Sequence, residues 1–236
     1  NTSNKVNGKY VVAILDGHDY RSAQSLAQLL RYLHSLGLHV PEILEPLNAN
    51  EPVMYNGKYV MVKAYIDGEE LNPYPIEKLK NLGAQVGKLH DIKIPDFLLP
   101  GNRRVAENWE ACLKEYYCED LKALIADAVA DQCIWEGLTP GLIHGDIFPD
   151  NVLNNGDREW LIDWDDACIE PVVLDIALTF IGMCRTDNRL DGEKMREFLA
   201  GYQQERILTP EEMHALPAAV KYAAAVLAYK RFITYH

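Results

Sequence analysis

At 236 residues, with 48% hydrophobic and 25% charged side chains, the chain is long enough for one large domain or two small lobes sharing a cleft, and its composition is that of an ordinary globular protein. A net charge of −12 argues against nucleic acid or an anionic membrane surface as the main partner, though not against a nucleotide whose charge a metal ion carries. Five cysteines at 112, 118, 133, 168 and 184 form an odd set without metal-ligand spacing, so reduced thiols in the cytoplasm are expected rather than a disulfide framework or a zinc site.

No run of about 18 apolar residues suggests a membrane span. The chain opens at Asn1 without a Met or a signal-like segment, and is expected to be part of a longer polypeptide. Residues 5–15 read as a hairpin turning at Asn7-Gly8, a dipeptide that tolerates the two positive φ angles of a tight turn. The polar run Asn1-Thr2-Ser3-Asn4 ahead of it is either a plain loop or one that lends N–H groups and hydroxyls to phosphates. Leu26, Leu29, Leu30, Leu33 and Leu36 fall at helical spacing within residues 20–36, and Gly37 ends that helix. A second hairpin turns at Asn56-Gly57 and runs through residues 59–66 into an Asp67-Gly68 turn. Two hairpins flanking one helix make a small β-rich lobe over residues 1–67.

The remainder, residues 68–236, reads as mostly helical. Helices are expected over residues 76–91, as one or two segments of 105–135, over 173–183, over 194–204, and over 211–234 with an interruption at Pro217. The fold class is therefore α+β and bilobal, a β-rich N-lobe on a helical C-lobe.

Residues 142–166 carry the chemistry. An apolar strand, Leu142-Ile143, delivers His144, Gly145 and Asp146; after a short loop with Asn151 comes a hairpin, Val152-Leu153 turning at Asn155-Gly156 into Trp160-Leu161-Ile162 and ending on Asp163. The order H-x-D-x-x-x-x-N followed by a strand-borne Asp is a phosphoryl-transfer arrangement. That reaction asks the protein to place a hydroxyl in line with a phosphate and to neutralise the spreading charge. Asp146 suits the proton acceptor, Asn151 and Asp163 suit a cation that takes oxygen ligands, and His144 suits a brace for the loop. The plainer reading, acids simply facing water, leaves the apolar runs that lead to both acids without a purpose.

Taken with Asn1 to Asn4, the segment from Asp163 to Cys168, Leu174-Asp175-Ile176-Ala177 and Leu199-Ala200-Gly201-Tyr202-Gln203, this stretch resembles the aminoglycoside phosphotransferase and choline kinase-like group of the protein-kinase-like fold. Within that group it is most similar to the homoserine kinases. The resemblance covers nearly the whole chain. It implies ATP and Mg²⁺ as cofactors, Asp146 as catalytic base, Asn151 and Asp163 as metal ligands, and a hinge in strand 61–66 whose backbone at Lys63, Ala64 and Tyr65 meets adenine. Asn1, Thr2 and Ser3 are then phosphate neighbours. Asp175, opening a helix, would be structural, and capping that helix explains it equally.

Only about ten residues separate Asp163 from the next helix, too few to hold a peptide, so a small acceptor is expected. Asp165 or Asp166 could meet a substrate ammonium or simply be solvated, and Lys230 or Arg231 could meet a carboxylate. The lysine and glutamate that pair in this fold would fall near Ala13 and Leu26, both apolar; with both absent no orphan charge remains, and Asn1 to Asn4, Lys9 and the metal are the candidate substitutes. The implied activity is phosphorylation of L-homoserine in threonine biosynthesis. An aminoglycoside or choline-like amino alcohol is the alternative acceptor, and a silent nucleotide-binding module the alternative of another class.

Overall fold

The computed structural model describes residues 2–46, 52–98, 119–131, 134, 137–156 and 158–235. Strands β1 (Thr2–Val6) and β2 (Tyr10–Leu15) form the first hairpin, with Asn7 and Gly8 at φ of +51° and +68°. Helix α1 (Tyr20–Ser35) follows, then the hairpin of β3 (Val53–Tyr55) and β4 (Lys58–Ala64), turning on Asn56 and Gly57 at +49° and +76°. The four strands make one antiparallel sheet in the order β1-β2-β4-β3. Asp19 caps α1, accepting the Ser22 N–H at 2.8 Å, and the helix buries Leu26, Leu29, Leu30 and Leu33 with Ala13, Leu15 and Met61 in one core.

Thr2, Ser3 and Asn4 of the N-terminal polar run belong to a strand, not a loop. Its register on β2 pairs Thr2 with Ile14 and Ser3 with Ala13, so alternate amides serve the ladder. Polar letters concealed it because β1 is an edge strand with every side chain exposed.

The rest of the chain runs β5 (Glu69–Glu70), α2 (Ile76–Asp91), α3 (Glu119–Ala130), β6 (Pro140–Ile143), β7 (Val152–Asn155), β8 (Arg158–Leu161), β9 (Cys168–Pro171), α4 (Val172–Met183), β10 (Arg185–Thr186), β11 (Arg189–Leu190), α5 (Gly192–Glu205) and α6 (Pro210–Tyr235). Strands β5-β7-β8 form a small sheet, and β6 pairs with β9. Helix α4 is buried along nearly its whole length, as its lack of a polar face demands. Helices α2 and α5 approach until backbones touch: a Cβ on Gly201 would run into the Lys80 carbonyl, one on Gly83 into that of Phe198, and one on Gly87 would come within 2.6 Å of the Tyr202 oxygen. Pro217 does not interrupt α6. Burial of Ala215, Leu216, Ala218 and Ala219 around it holds the helix although the ring removes one backbone hydrogen bond.

Cys168 and Cys184 form no disulfide among the described residues, and burial pushes the Cys184 thiol up to about 12. Cys112, Cys118, Cys133, Trp135 and the first part of the 105–135 helical expectation lie outside the described residues. No helix among the described residues is long and apolar enough to cross a membrane.

Candidate active site

Strand β6 ends at Ile143, and the chain turns through His144 and Gly145, the latter at φ +82°. Asp175 holds that turn. Its carboxylate accepts the His144 N–H at 2.9 Å and the Gly145 N–H at 2.7 Å. Fully buried, it is itself held by His90 Nε2 at 3.1 Å, while His90 Nδ1 lies 2.9 Å from the Tyr202 hydroxyl. Arg206 donates to that hydroxyl at 3.2 Å and forks onto Glu212 at 2.9 and 2.6 Å. One direction of donation satisfies the whole chain: Arg206 to Tyr202, Tyr202 to His90, His90 to Asp175. Burial pushes the Asp175 carboxyl up, but the hydrogen bonds from His90 and from the His144 N–H outweigh it and hold it below the usual carboxylate range.

Asp175 is therefore not the cap of its own helix. It sits inside the first turn of α4, whose N-cap is Pro171, and reaches across to the loop. A lone acid in an otherwise apolar helix was the signal for this role.

His144 braces the loop from the other side. Its Nε2 donates to the Ile162 carbonyl at 3.0 Å and its Nδ1 accepts the Asp146 N–H at 3.3 Å, an arrangement open only to the neutral ring. Burial pushes its pKa below 6.5 against the pull of Asp175, the Ile162 carbonyl, Asp146 and Asp163. Asn151 stands at the end of a 3₁₀ turn, 149–151, and its amide nitrogen donates to both the Asp146 carboxylate and the Asp146 carbonyl at 2.8 Å. Both partners only accept, so the nitrogen must face Asp146 and the amide oxygen must face elsewhere. The Asn151 carbonyl in turn accepts the Ile162 N–H at 3.0 Å, one residue before Asp163. Asp163 is left-handed at φ +61°, a conformation costing about 1–3 kcal/mol that persists where surrounding structure enforces it. Burial and then the Asp165 carboxylate push Asp163 above the usual range, opposed by the Lys63 ammonium.

Two cavities open on this core. One is lined by Ser3, Ala13, Lys63, Asn151, Asp163 and Asp165 among others, with Ala64, Tyr65 and Ile66. The other, of about 170 Å³, has Asp146, Asp166 and Lys230 on a wall otherwise made by Leu174, Leu178 and α6. Asp165 and Asp166, adjacent in sequence, thus belong to different sites. Asp165 lies 3.3 Å from His18 Nε2 and lines the first cavity, not the second. Arg231 is exposed and lines neither cavity. The Thr2 hydroxyl donates to Asp16 at 3.3 Å, and Thr2 and Lys9 are likewise absent from the lining. Asn1 lies outside the described residues. At the expected hinge the amides of Ala64 and Tyr65 are already spent, on the Glu42 and Lys9 carbonyls at 2.8 Å each, so neither is available to a base. Sequence reasoning missed the Tyr222 to Leu227 part of the second wall, which reads as core in any amphipathic pattern.

Residues 2–216 match the phosphotransferase enzyme family. The chain belongs to that family. It is an ATP-dependent phosphotransferase with an alcohol group as acceptor. Curated relatives in the family include the homoserine kinase of Neisseria meningitidis, 28% identical over 97% of this chain and 77% of that protein, and the homoserine kinase of Sinorhizobium medicae, 27% identical over 83% of this chain and 63% of that protein. The chain thus spans less than two thirds of the second relative's length. Amicoumacin kinase, solved in complex with AMP-PNP and Ca²⁺, superposes with a TM-score of 0.77 at 16% identity, covering 96% of this chain and 75% of that one. That likeness establishes the bilobal protein-kinase-like fold of this family member.

Proposed function

We propose that this phosphotransferase acts on L-homoserine, with ATP as donor and Mg²⁺ as its metal. The observation that carries the acceptor is the cavity beside Asp146: about 170 Å³, with an apolar wall, Asp166 and Lys230. Among the described residues its polar side chains are Asp146, Asp166, Tyr222 and Lys230, few partners for the many hydroxyls and ammoniums of an aminoglycoside. A carboxylate and an ammonium flanking a base match a zwitterion whose hydroxyl is presented on a short apolar stem. Choline-like amino alcohols lack the carboxylate that Lys230 would meet. The names of the curated relatives support the same acceptor.

In this reading residues 1–67 chiefly serve the nucleotide and residues 68–236 the acceptor. Asp146 accepts the proton of the substrate hydroxyl, and Asn151 fixes the Asp146 carboxylate for that task. The nucleotide cavity presents the carboxylates of Asp150, Asp163 and Asp165 against the ammonium of Lys63, a net negative lining that suits a cation. Mg²⁺ draws most of its ligands from phosphates and water, so the protein need supply only one or two. Asp163 and the Asn151 amide oxygen would hold it, and it would offset charge on the transferring phosphoryl group.

An ADP-release assay across acceptors tests this. L-homoserine should be turned over, and 3-aminopropan-1-ol, the same molecule without its carboxylate, should lose about a hundredfold in kcat/KM. Equal turnover of the two would remove Lys230 from recognition, and turnover of aminoglycosides alone would replace the proposal.

A further inference from the structure

The charge that this fold places on a strand is absent at Ala13, which is buried at 2% exposure beside Leu26 at 7%. Anchoring a nucleotide's phosphates still asks for a protein cation. Register supplies a candidate. In the β2–β4 pairing Met61 lies opposite Ala13 and Lys63 opposite Val11, so Lys63 stands one strand over and two residues along. Alternation puts it on the same face of the sheet as Ala13, and both line the nucleotide cavity together with Ser3 and Val11. Lys63 is the one Lys or Arg among the described residues of that lining, and Asp150, Asp163 and Asp165 share it. Lys5, whose ammonium sits 3.5 Å over the Tyr65 ring, is exposed at the rim. Burial pulls the Lys63 ammonium down, and the charges of Asp165 and Asp163 pull it back. Half-buried, this ammonium faces a cavity rather than open solvent, where a phosphate would be a fitting partner for it.

We infer that Lys63, on the strand beside the expected one, is the phosphate-contacting cation of the nucleotide site, and that Ala13 is apolar because the charge has moved next door. The inference rests on the nucleotide half of the function proposed above and is independent of which acceptor is used. Calorimetric titration of wild type, Lys63→Met and Lys63→Gln with ADP and with adenosine, in EDTA, isolates this contact from metal and from turnover. Both variants should lose about tenfold or more in ADP affinity while adenosine affinity stays within about twofold. Returning the charge in Lys63→Met/Ala13→Lys should recover ADP affinity. An unchanged ratio of ADP to adenosine affinity in the single variants, even with a lowered melting temperature, would make Lys63 only a counter-charge to Asp163 and Asp165 and would overturn the inference. Failure of homoserine as acceptor would leave every one of these affinities untouched.

Discussion

The wall that carries Asp146 and the wall that carries Lys63 are held in different ways. Behind Asp146, an unbroken chain of hydrogen bonds runs from Glu212 through Arg206, Tyr202, His90 and Asp175 to the backbone of the catalytic loop. The helices bearing that chain pack with glycine against backbone. On the sheet side, Ala13 and Val11 are apolar, and the Lys63 ammonium is balanced by the fields of Asp165 and Asp163. Asp146 is thus positioned by the fold before any ligand arrives, whereas the sheet side is balanced by charges that a ligand would rearrange. Removing buried charge should therefore cost stability on the first wall and affinity on the second.

The sharpest way to break this contrast is Asp175→Ala. It strands His90 and two loop amides in the interior, and losing one member of a buried pair costs about 3–5 kcal/mol, so urea unfolding should show a drop of that size together with loss of turnover. A drop below about 1 kcal/mol would mean that the loop is held by something else. Acid should act on the same wall. His144 is buried neutral with its folded pKa below 6.5, so as pH falls below 6.5 the unfolded chain takes up the proton first and stability declines. Urea midpoints measured on either side of that pH should differ in this direction, and a flat profile would contradict the tautomer described for His144. Asp175 adds a second loss lower down. Its carboxyl is depressed from 3.8, so its contribution is complete above 3.8 and disappears as pH falls through the lower folded value. The smallest effect belongs to Lys9→Ala: exposed and outside the cavity lining, it should leave stability within about 0.5 kcal/mol and ADP affinity unchanged. A clear loss of ADP affinity would return Lys9 to the site and weaken the case for Lys63.

Local chemistry was legible where it decides structure within a few residues. Asn7-Gly8 and Asn56-Gly57 announced both hairpins, and the leucine spacing announced α1, because turn dihedrals and helical period are written in adjacent letters. The order of His144, Asp146, Asn151 and Asp163 announced which side chains this loop and hairpin bring together for the same reason. What escaped depends on partners far along the chain. Thr2 to Val6 is a strand because β2 pairs with it, Asp175 serves a loop 30 residues upstream, and Pro217 is carried by packing around α6. Asp165 and Asp166 looked interchangeable, yet consecutive residues leaving Asp163 face different cavities. That Lys63 lines a cavity with Asp163 and Asp165 was equally hidden, since nothing in the letters says which side of a strand a cleft will occupy.

The account stands most directly on Asp146 as the group that takes the hydroxyl proton. Asp146→Asn preserves size and leaves an oxygen to accept the Asn151 amide, so ADP should bind the variant as it binds the wild type. Turnover with L-homoserine should fall by about 10²–10⁴-fold, the usual loss on removing a general base. A variant that keeps turnover within about threefold of wild type would show that the proton goes elsewhere and that the geometry around Asp146 serves another purpose.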